Sequence, residues 1–438
     1  MSTFHGDDID NLLRPEYLEN PCPAFQQLQV NDPVHWNPRL NGWMVSRYDD
    51  VFALLQDSRL SAVSPFGYMF KRSLTEEEQV AVSFIRPYVE QSLLNMDPPH
   101  QTRQRAILGK AFTPRRLAQM GERVQQFVDE IVDEVQPDGK IELLHQFAFP
   151  LLFKVIFALL GIPPEVQPEA SRLFNEASSL IVQVNSTPYP ASEHLLRFAE
   201  NLRETEELIR PFIEERRQQP QEDVISLMVE AEKQGELSEK EIFVLCSQLV
   251  FAAHETTANA ICTGMYSLLQ NPDQLERLQA NPDILPLAVE ELLRYSAPGQ
   301  MRPRIALEDM EIRGTRVQKG QRMFLMLAAA NYDEEHFTCP AALNVERAKK
   351  DRIMTFGHGI HYCLGGALAR LELRVIFPTL FHRLPGLRLA SPTVQWRPNF
   401  LLRGLVALPL EFDPPAVLVD RDETSKVGEG NKAHKDAA

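Results

Sequence analysis

The 438-residue chain is poor in cysteine. The five present, Cys22, Cys246, Cys262, Cys339 and Cys363, are odd in number, scattered, and form no CxxC pair. That excludes a disulfide scaffold and a cysteine-based zinc site, and leaves no iron–sulfur cluster within the chain. No run approaches the roughly 18 consecutive apolar residues of a membrane span, so none is expected. The start, MSTFHGDDIDNLLRPEYLEN, lacks a basic segment followed by an apolar one, so no signal peptide is expected. Basic residues are the minority, 45 Lys and Arg against 60 Asp and Glu, for a net charge of −15. That argues against nucleic acid as the main partner and for a soluble chain. No GxGxxG follows a strand pattern, so no dinucleotide site is expected. No internal repeat occurs. A reducing cytoplasm is the simplest compartment.

Apolar residues make up 44% of the chain, sufficient for a large core. Helical patterns dominate from 98 to 218, broken at TP, PDG and GIPP. GELSEKEIF then opens a new helix: Gly235 closes the previous one, and Ser238 with Glu241 forms a capping box. This helix continues through SQLVFAAHETTANAICTGMYSLL to about Leu269. It is apolar nearly all round, so it should be buried. DILPLAVEELLRYSA and CLGGALARLELRVIFPTLFHRL predict two more helices, the second starting at or just after Cys363. Residues 303 to 328 alternate like short strands, and PNFLLRGLVALPLEF predicts a closing hairpin. Residues 61 to 95 lack clear periodicity and read as a long, apolar-rimmed loop with one helical turn. The expected layout is a flexible lead over 1–14, one domain over 15–413 and a polar, disordered tail over 414–438. The fold class is mainly α with small β-sheets.

FGHGIHYCLGG, residues 356 to 366, surrounds one thiol with glycine. A cysteine just before a helix meets free N–H groups and partial positive charge, which favour thiolate. The glycines let the backbone approach a bulky object closely. A single thiolate ligand with an open face suits haem iron. A buried structural cysteine in a tight turn is the alternative. The pattern Phe356–x–x–Gly359–x–His361–x–Cys363–x–Gly365 resembles the haem-ligand loop of the cytochrome P-450 superfamily in its soluble bacterial form.

The resemblance spans roughly Pro15 to Asp413. It implies that fold, with haem b between the long central helix and the helix after Cys363, and Cys363 as iron ligand. In FAAHETTANAI it implies a proton relay of Glu255 and Thr256 beside Ala252 and Ala253. Alternatively, Thr256 bonds back to its own helix and Glu255 pairs with an arginine. His254 faces elsewhere and is read as structural. The resemblance also implies a buried network of Glu291, Arg294 and Arg347. For the haem propionates it implies Gln101, Arg105, Arg304 and His361, with Thr355, Phe356, Gly357, Gly365 and Ala369 also against the haem. His100, one position before Gln101, is the competing propionate contact.

The expected reaction inserts one oxygen atom of O2 into a medium or large hydrophobic substrate, by hydroxylation or epoxidation in secondary metabolism. Electrons come from an external ferredoxin-type partner, docked on a basic patch of Lys110, Arg115, Arg116, Lys349, Lys350, Arg370 and Arg374. The chain is expected to act as a monomer. A non-catalytic haem sensor or carrier-recognition module, and a peroxide-driven enzyme, are the alternatives. The substrate pocket is assigned to Phe66, Tyr68, Phe84, Leu94, Ile181, Val184, Gln248, Phe251, Gln300, Met301, Phe400 and Leu401. For each apolar member, plain core is an even alternative.

Overall fold

Capping sets where the long helices start. In the computed structural model, which describes residues 9–63, 73–185, 191–348 and 350–413, Ser238 accepts from the Glu241 N–H while Glu241 reaches back to the Ser238 N–H. The helices that build the site are α1 (Glu76–Glu90), α2 (His100–Gly109), α3 (Pro114–Val135), α4 (Phe149–Leu160), α5 (Gln167–Asn185), α6 (Ser192–Gln218), α7 (Glu239–Gln270), α8 (Leu285–Tyr295) and α9 (Gly366–Arg383). The central helix α7 packs on α4, α1 and α8, while α9 lies against α3 and α8. The main apolar core fills the space between them. A second cluster joins the N-terminal segment to Met301, Phe324 and Tyr332. A third lies between α1, α5 and α6.

The strands are β1 (Val34–Asn37), β2 (Gly42–Val45), β3 (Leu60–Ser61), β4 (Lys140–Glu142), β5 (Arg302–Ala306), β6 (Met310–Ile312), β7 (Thr315–Val317), β8 (Arg322–Leu325), β9 (Arg388–Leu389) and β10 (Pro409–Glu411). Five form one sheet in the order β1-β2-β8-β5-β3, in which only β2 and β8 run parallel. β5 pairs antiparallel with β8, setting Arg304 opposite Met323. A three-stranded sheet has the order β4-β10-β9, and β6 with β7 forms a hairpin.

Three expectations need correction. The stretch 61–95 is not mostly loop: α1 occupies Glu76–Glu90, started by a capping box of Thr75 and Glu78. The lead is not loose from Ile9 on, because Ile9 and Leu12 are buried beside Tyr17 and Phe25. The closing segment is not a regular hairpin. Its middle pairs with the residues just before it, through a Trp396–Leu405 bridge flanked by the Arg397 N–H to Gly404 and Val406 N–H to Gln395 bonds, and β10 pairs with β4 and β9. Residues 1–8 and 414–438 lie outside the described residues. One 18-residue stretch, Leu143–Leu160, is apolar enough by composition to cross a membrane, and 67% of it is buried within the fold.

Candidate active site

Two positive-φ glycines shape the loop before α9. Gly357 sits at φ +68 and Gly359 at φ +69. At Gly359 a Cβ would lie 2.9 Å from the Leu55 carbonyl oxygen, so the loop is pressed against the end of the helix Tyr48–Leu54. The Cys363 N–H donates to the Phe356 carbonyl at 2.9 Å. Gly365 caps α9, and its N–H is directed at the Cys363 sulfur. The Cys363 side chain carries accessible surface yet is enclosed by protein on nearly every side, so it faces an interior space rather than bulk water. Burial raises its thiol above the ordinary value. The Gly365 N–H and the guanidinium groups of Arg302, Arg105 and Arg370 pull the other way without prevailing. The helix terminus alone therefore does not make the thiolate expected from the sequence. A bound metal ion deprotonates a coordinating thiol outright.

Cations gather beside this loop. In β5, residues two apart share a face, so Arg302 and Arg304 point the same way. Arg304 is buried; its Nη1 donates to the Pro303 carbonyl at 2.8 Å, and its Nη2 has no partner. Burial, with Arg302 nearby, lowers it to about 10, so it stays charged at neutral pH. The Nε2 of His361 is also buried without a partner. Burial and the guanidiniums of Arg304, Arg105 and Arg302 bring His361 down to about 4, so the ring is neutral. Two buried polar atoms without partners, with Arg105 close by, match what two propionate carboxylates require. The glycine-cradled thiol matches an iron ligand. The residues present fit haem.

Gln101 also supports the cysteine loop. It is buried, and its Nε2 donates to the Ile360 carbonyl at 2.7 Å. One N–H of the amide thus braces the cysteine loop, and the amide carries a second N–H beyond that bond. Thr355 is likewise occupied: its hydroxyl donates to Leu293 at 2.7 Å and accepts from Asn331 at 2.9 Å. Phe356 lies under the Arg370 guanidinium, 4.2 Å away. Ala369 is half-buried at the end of the first turn of α9.

On α7, Ala252 is exposed although the helix is buried along most of its length, which marks a cavity wall; Ala253 is half-buried. The Thr256 hydroxyl donates to the Ala252 carbonyl at 2.7 Å. Glu255 pairs with Arg397 at 3.0 Å. Both alternatives that the sequence left open for this pair are therefore realised in the structure. His254 turns away into an aromatic slot, stacked on Phe153 at 3.8 Å and Phe149 at 4.4 Å. Burial, with Arg397 adding to it, lowers His254 to about 3.

The structure brings Glu291, Arg294 and Arg347 together. Arg294 has no exposed surface and holds both oxygens of Glu291, at 2.7 and 2.9 Å. Arg347 reaches the same carboxylate at 2.8 Å. Of the expected basic patch, Arg370 is committed to Glu290 and the Gly366 carbonyl. Lys110, Arg115, Lys350 and Arg374 are exposed and Arg116 is half-buried, while Lys349 lies outside the described residues.

The pocket assignments divide. Phe66 and Tyr68 lie outside the described residues. Phe84 is not a free pocket wall: Lys240 and Arg203 cover its ring at 4.1 and 4.7 Å. Met301 is fully buried in the N-terminal cluster, and Val184 in the cluster between α1, α5 and α6. Leu94 and Leu401 are exposed, whereas Ile181 and Phe400 are half-buried. Gln248 accepts from the Leu93 N–H at 2.8 Å, and Phe251 meets Phe174 edge-on. Gln300 is buried, with its Oε1 unpartnered. Two residues were missed by the sequence reading. Arg397 is distant in sequence from its partner Glu255, and nothing in its neighbourhood signals the pair. Arg302 was readable from the alternation in RPRIA.

The cytochrome P450 family profile matches residues 71–389. A biotin biosynthesis cytochrome P450 of Bacillus subtilis is 34% identical, over 91% of this chain and 98% of its own length. The polyketide biosynthesis cytochrome P450 PksS of the same organism is 34% identical, over 91% of this chain and 97% of its own. Among solved structures, P450BioI in complex with an acyl carrier protein bearing hexadec-9Z-enoic acid superposes with a TM-score of 0.81 at 34% identity. That match covers 91% of this chain and all of the other. Geometry, family profile and relatives agree: the chain belongs to the cytochrome P450 family, whose members are haem-iron oxidoreductases.

Proposed function

We propose that this P450 monooxygenase carries haem b on Cys363 and inserts one oxygen atom of O2 into a hydrophobic molecule of secondary metabolism. The observation that carries the reading is the enclosed thiol of Cys363 at the head of α9, beside Arg304 and His361 atoms that lack partners. When bound, the haem supplies dioxygen activation, helped by the electron push of its thiolate ligand. The chain's own residues do the rest. Arg105, Arg304 and His361 would bind the propionates. Gly365 holds the sulfur through its N–H, and Gln101 fixes the loop through Ile360. Phe251 and Ile181 offer apolar surface to the substrate.

Thr256 and Glu255 would move protons. While donating to the Ala252 carbonyl the Thr256 hydroxyl can still accept a hydrogen bond, but to donate a proton it must leave that carbonyl, and Glu255 must exchange Arg397 for water. Their present bonds favour a second reading, a peroxide-driven enzyme that needs no relay. Electrons would come from a ferredoxin-type donor docking near exposed Lys110, Arg115 and Arg374, in the cytoplasm, with the enzyme a monomer. The polyketide biosynthesis cytochrome P450 PksS and nocardicin C N-oxygenase are similar proteins whose names support a natural-product substrate.

The test uses isotopically labelled O2 with an external reductant and ferredoxin. Product carrying one labelled atom is expected. Thr256→Ala should lower product per electron by roughly a hundredfold, the scale of lost proton delivery, while peroxide accumulates. Full coupling in Thr256→Ala, with peroxide alone outperforming the reductant, would favour the second reading.

A further inference from the structure

One charged group in the site has no task. Arg302 lies on the same face of β5 as Arg304, two residues away. Its guanidinium packs against Gly299, 3.6 and 3.7 Å from where a Cβ of that residue would sit. Gly299 in turn bridges to Leu402, so Arg302 lies beside the turn that carries Phe400 and Leu401. Its one hydrogen bond is from Nη1 to the neighbouring Met301 carbonyl, at 3.2 Å. Among the described residues, no carboxylate pairs with it. The nearest candidate from the cation cluster, Asp97, is held by the Ser61 hydroxyl and the Ala62 N–H, and its charge acts on Arg304 and His361. Among the described residues, Cys363 is the group of opposite charge that acts on Arg302, while Arg304 beside it is a like charge.

A guanidinium taken out of water without an anion is costly, and buried charges are ordinarily paired. On the reading above, Arg105, Arg304 and His361 would serve the haem propionates. Arg302 is a cation beyond that need, placed beside the turn that carries Phe400 and Leu401. We propose that Arg302 anchors a carboxylate of the substrate, so that the molecule this site oxidises is a hydrophobic acid rather than a neutral compound. This rests on the monooxygenase reading above. A planar guanidinium matches a carboxylate through two parallel N–H···O bonds. Among the described residues the Nε and Nη2 of Arg302 have no acceptor, so they supply that pair of donors.

A carboxylate reaching Arg302 could come from substrate or from a haem propionate, and the experiment separates the two. Haem-loaded wild type, Arg302→Gln and Arg302→Lys are titrated with straight-chain carboxylic acids and their matched alcohols. Binding is read from the spin-state shift of the Soret band. Haem loss to an apoglobin acceptor is timed in parallel. Wild type should bind acids more tightly than alcohols, by roughly ten- to a hundredfold for a bond to a charged group. Arg302→Gln should erase that preference with alcohol binding and haem loss unchanged, and Arg302→Lys should keep part of it. Equal binding of acid and alcohol by wild type would overturn the proposal. So would a preference that survives in Arg302→Gln, or faster haem loss with the preference intact, which would assign Arg302 to a propionate. Were Arg302→Gln to lose its fold, wild type against Arg302→Lys would still decide. Failure of the monooxygenase reading would show separately, as the lack of a thiolate-type carbon monoxide spectrum in the wild type.

Discussion

Glu372 lies on α9 with 3% of its surface exposed, and burial alone raises its carboxyl from 4.5 to about 8. At about 1.4 kcal/mol per unit, that rise corresponds to about 5 kcal/mol. The sign follows from the raised value. The folded state holds the proton longer than the unfolded state does. Stability from this group is full below pH 4.5, declines by about 1.4 kcal/mol per pH unit above it, and is gone once pH passes about 8. Glu372→Gln keeps the shape and removes the titration. Urea unfolding of both haem-loaded proteins is followed by far-ultraviolet circular dichroism at a series of pH values from mildly acidic to mildly basic. Contributions common to both, haem included, cancel in the difference. The glutamine variant should gain on wild type steadily with pH, then plateau above pH 8. A difference that stays flat with pH would refute the claim that this carboxyl is buried and unpaired.

Gly359→Ala would place a methyl group 2.9 Å from the Leu55 carbonyl at a positive φ, so the cysteine loop must shift. Reduced haem occupancy is expected. Gly235→Ala, at φ +73 with nothing within 4 Å, serves as control and should cost only about 1 kcal/mol of backbone strain. Equal haem content in both variants would contradict the steric argument. Glu291→Gln would strip the carboxylate from the fully buried Arg294 and from Arg347. A loss of about 3–5 kcal/mol, seen as a lower melting temperature by calorimetry, is expected. An unchanged melting temperature would refute it.

The parts legible in the sequence were those with local causes. The capping box at Ser238 and the apolar run behind it gave α7 its start and its burial. The spacing around Cys363 gave the loop. Glu291 and Arg294 share a helix face, so their pairing was readable, although Arg347 came only through the resemblance. The losses have physical reasons. Residues 61–95 hid α1 because Phe66 to Phe70 drew the reading to a loop, while the Thr75–Glu78 capping box went unused. Phe84 and Met301 are apolar on helix and strand faces whose direction only the tertiary packing decides. The bond from Gln101 to the Ile360 carbonyl went unread because spacing locates an amide but does not say which carbonyl it will meet. Arg397 reaches Glu255 across 142 residues, a distance over which no local pattern operates.

The most direct test of the central claim is the absorption difference spectrum of the reduced, haem-loaded protein with and without carbon monoxide, taken beside Cys363→His. The account predicts a strongly red-shifted Soret band in wild type that moves to the ordinary histidine-ligated position in the variant. An ordinary band in wild type, or the same spectrum in both proteins, would contradict thiolate ligation by Cys363.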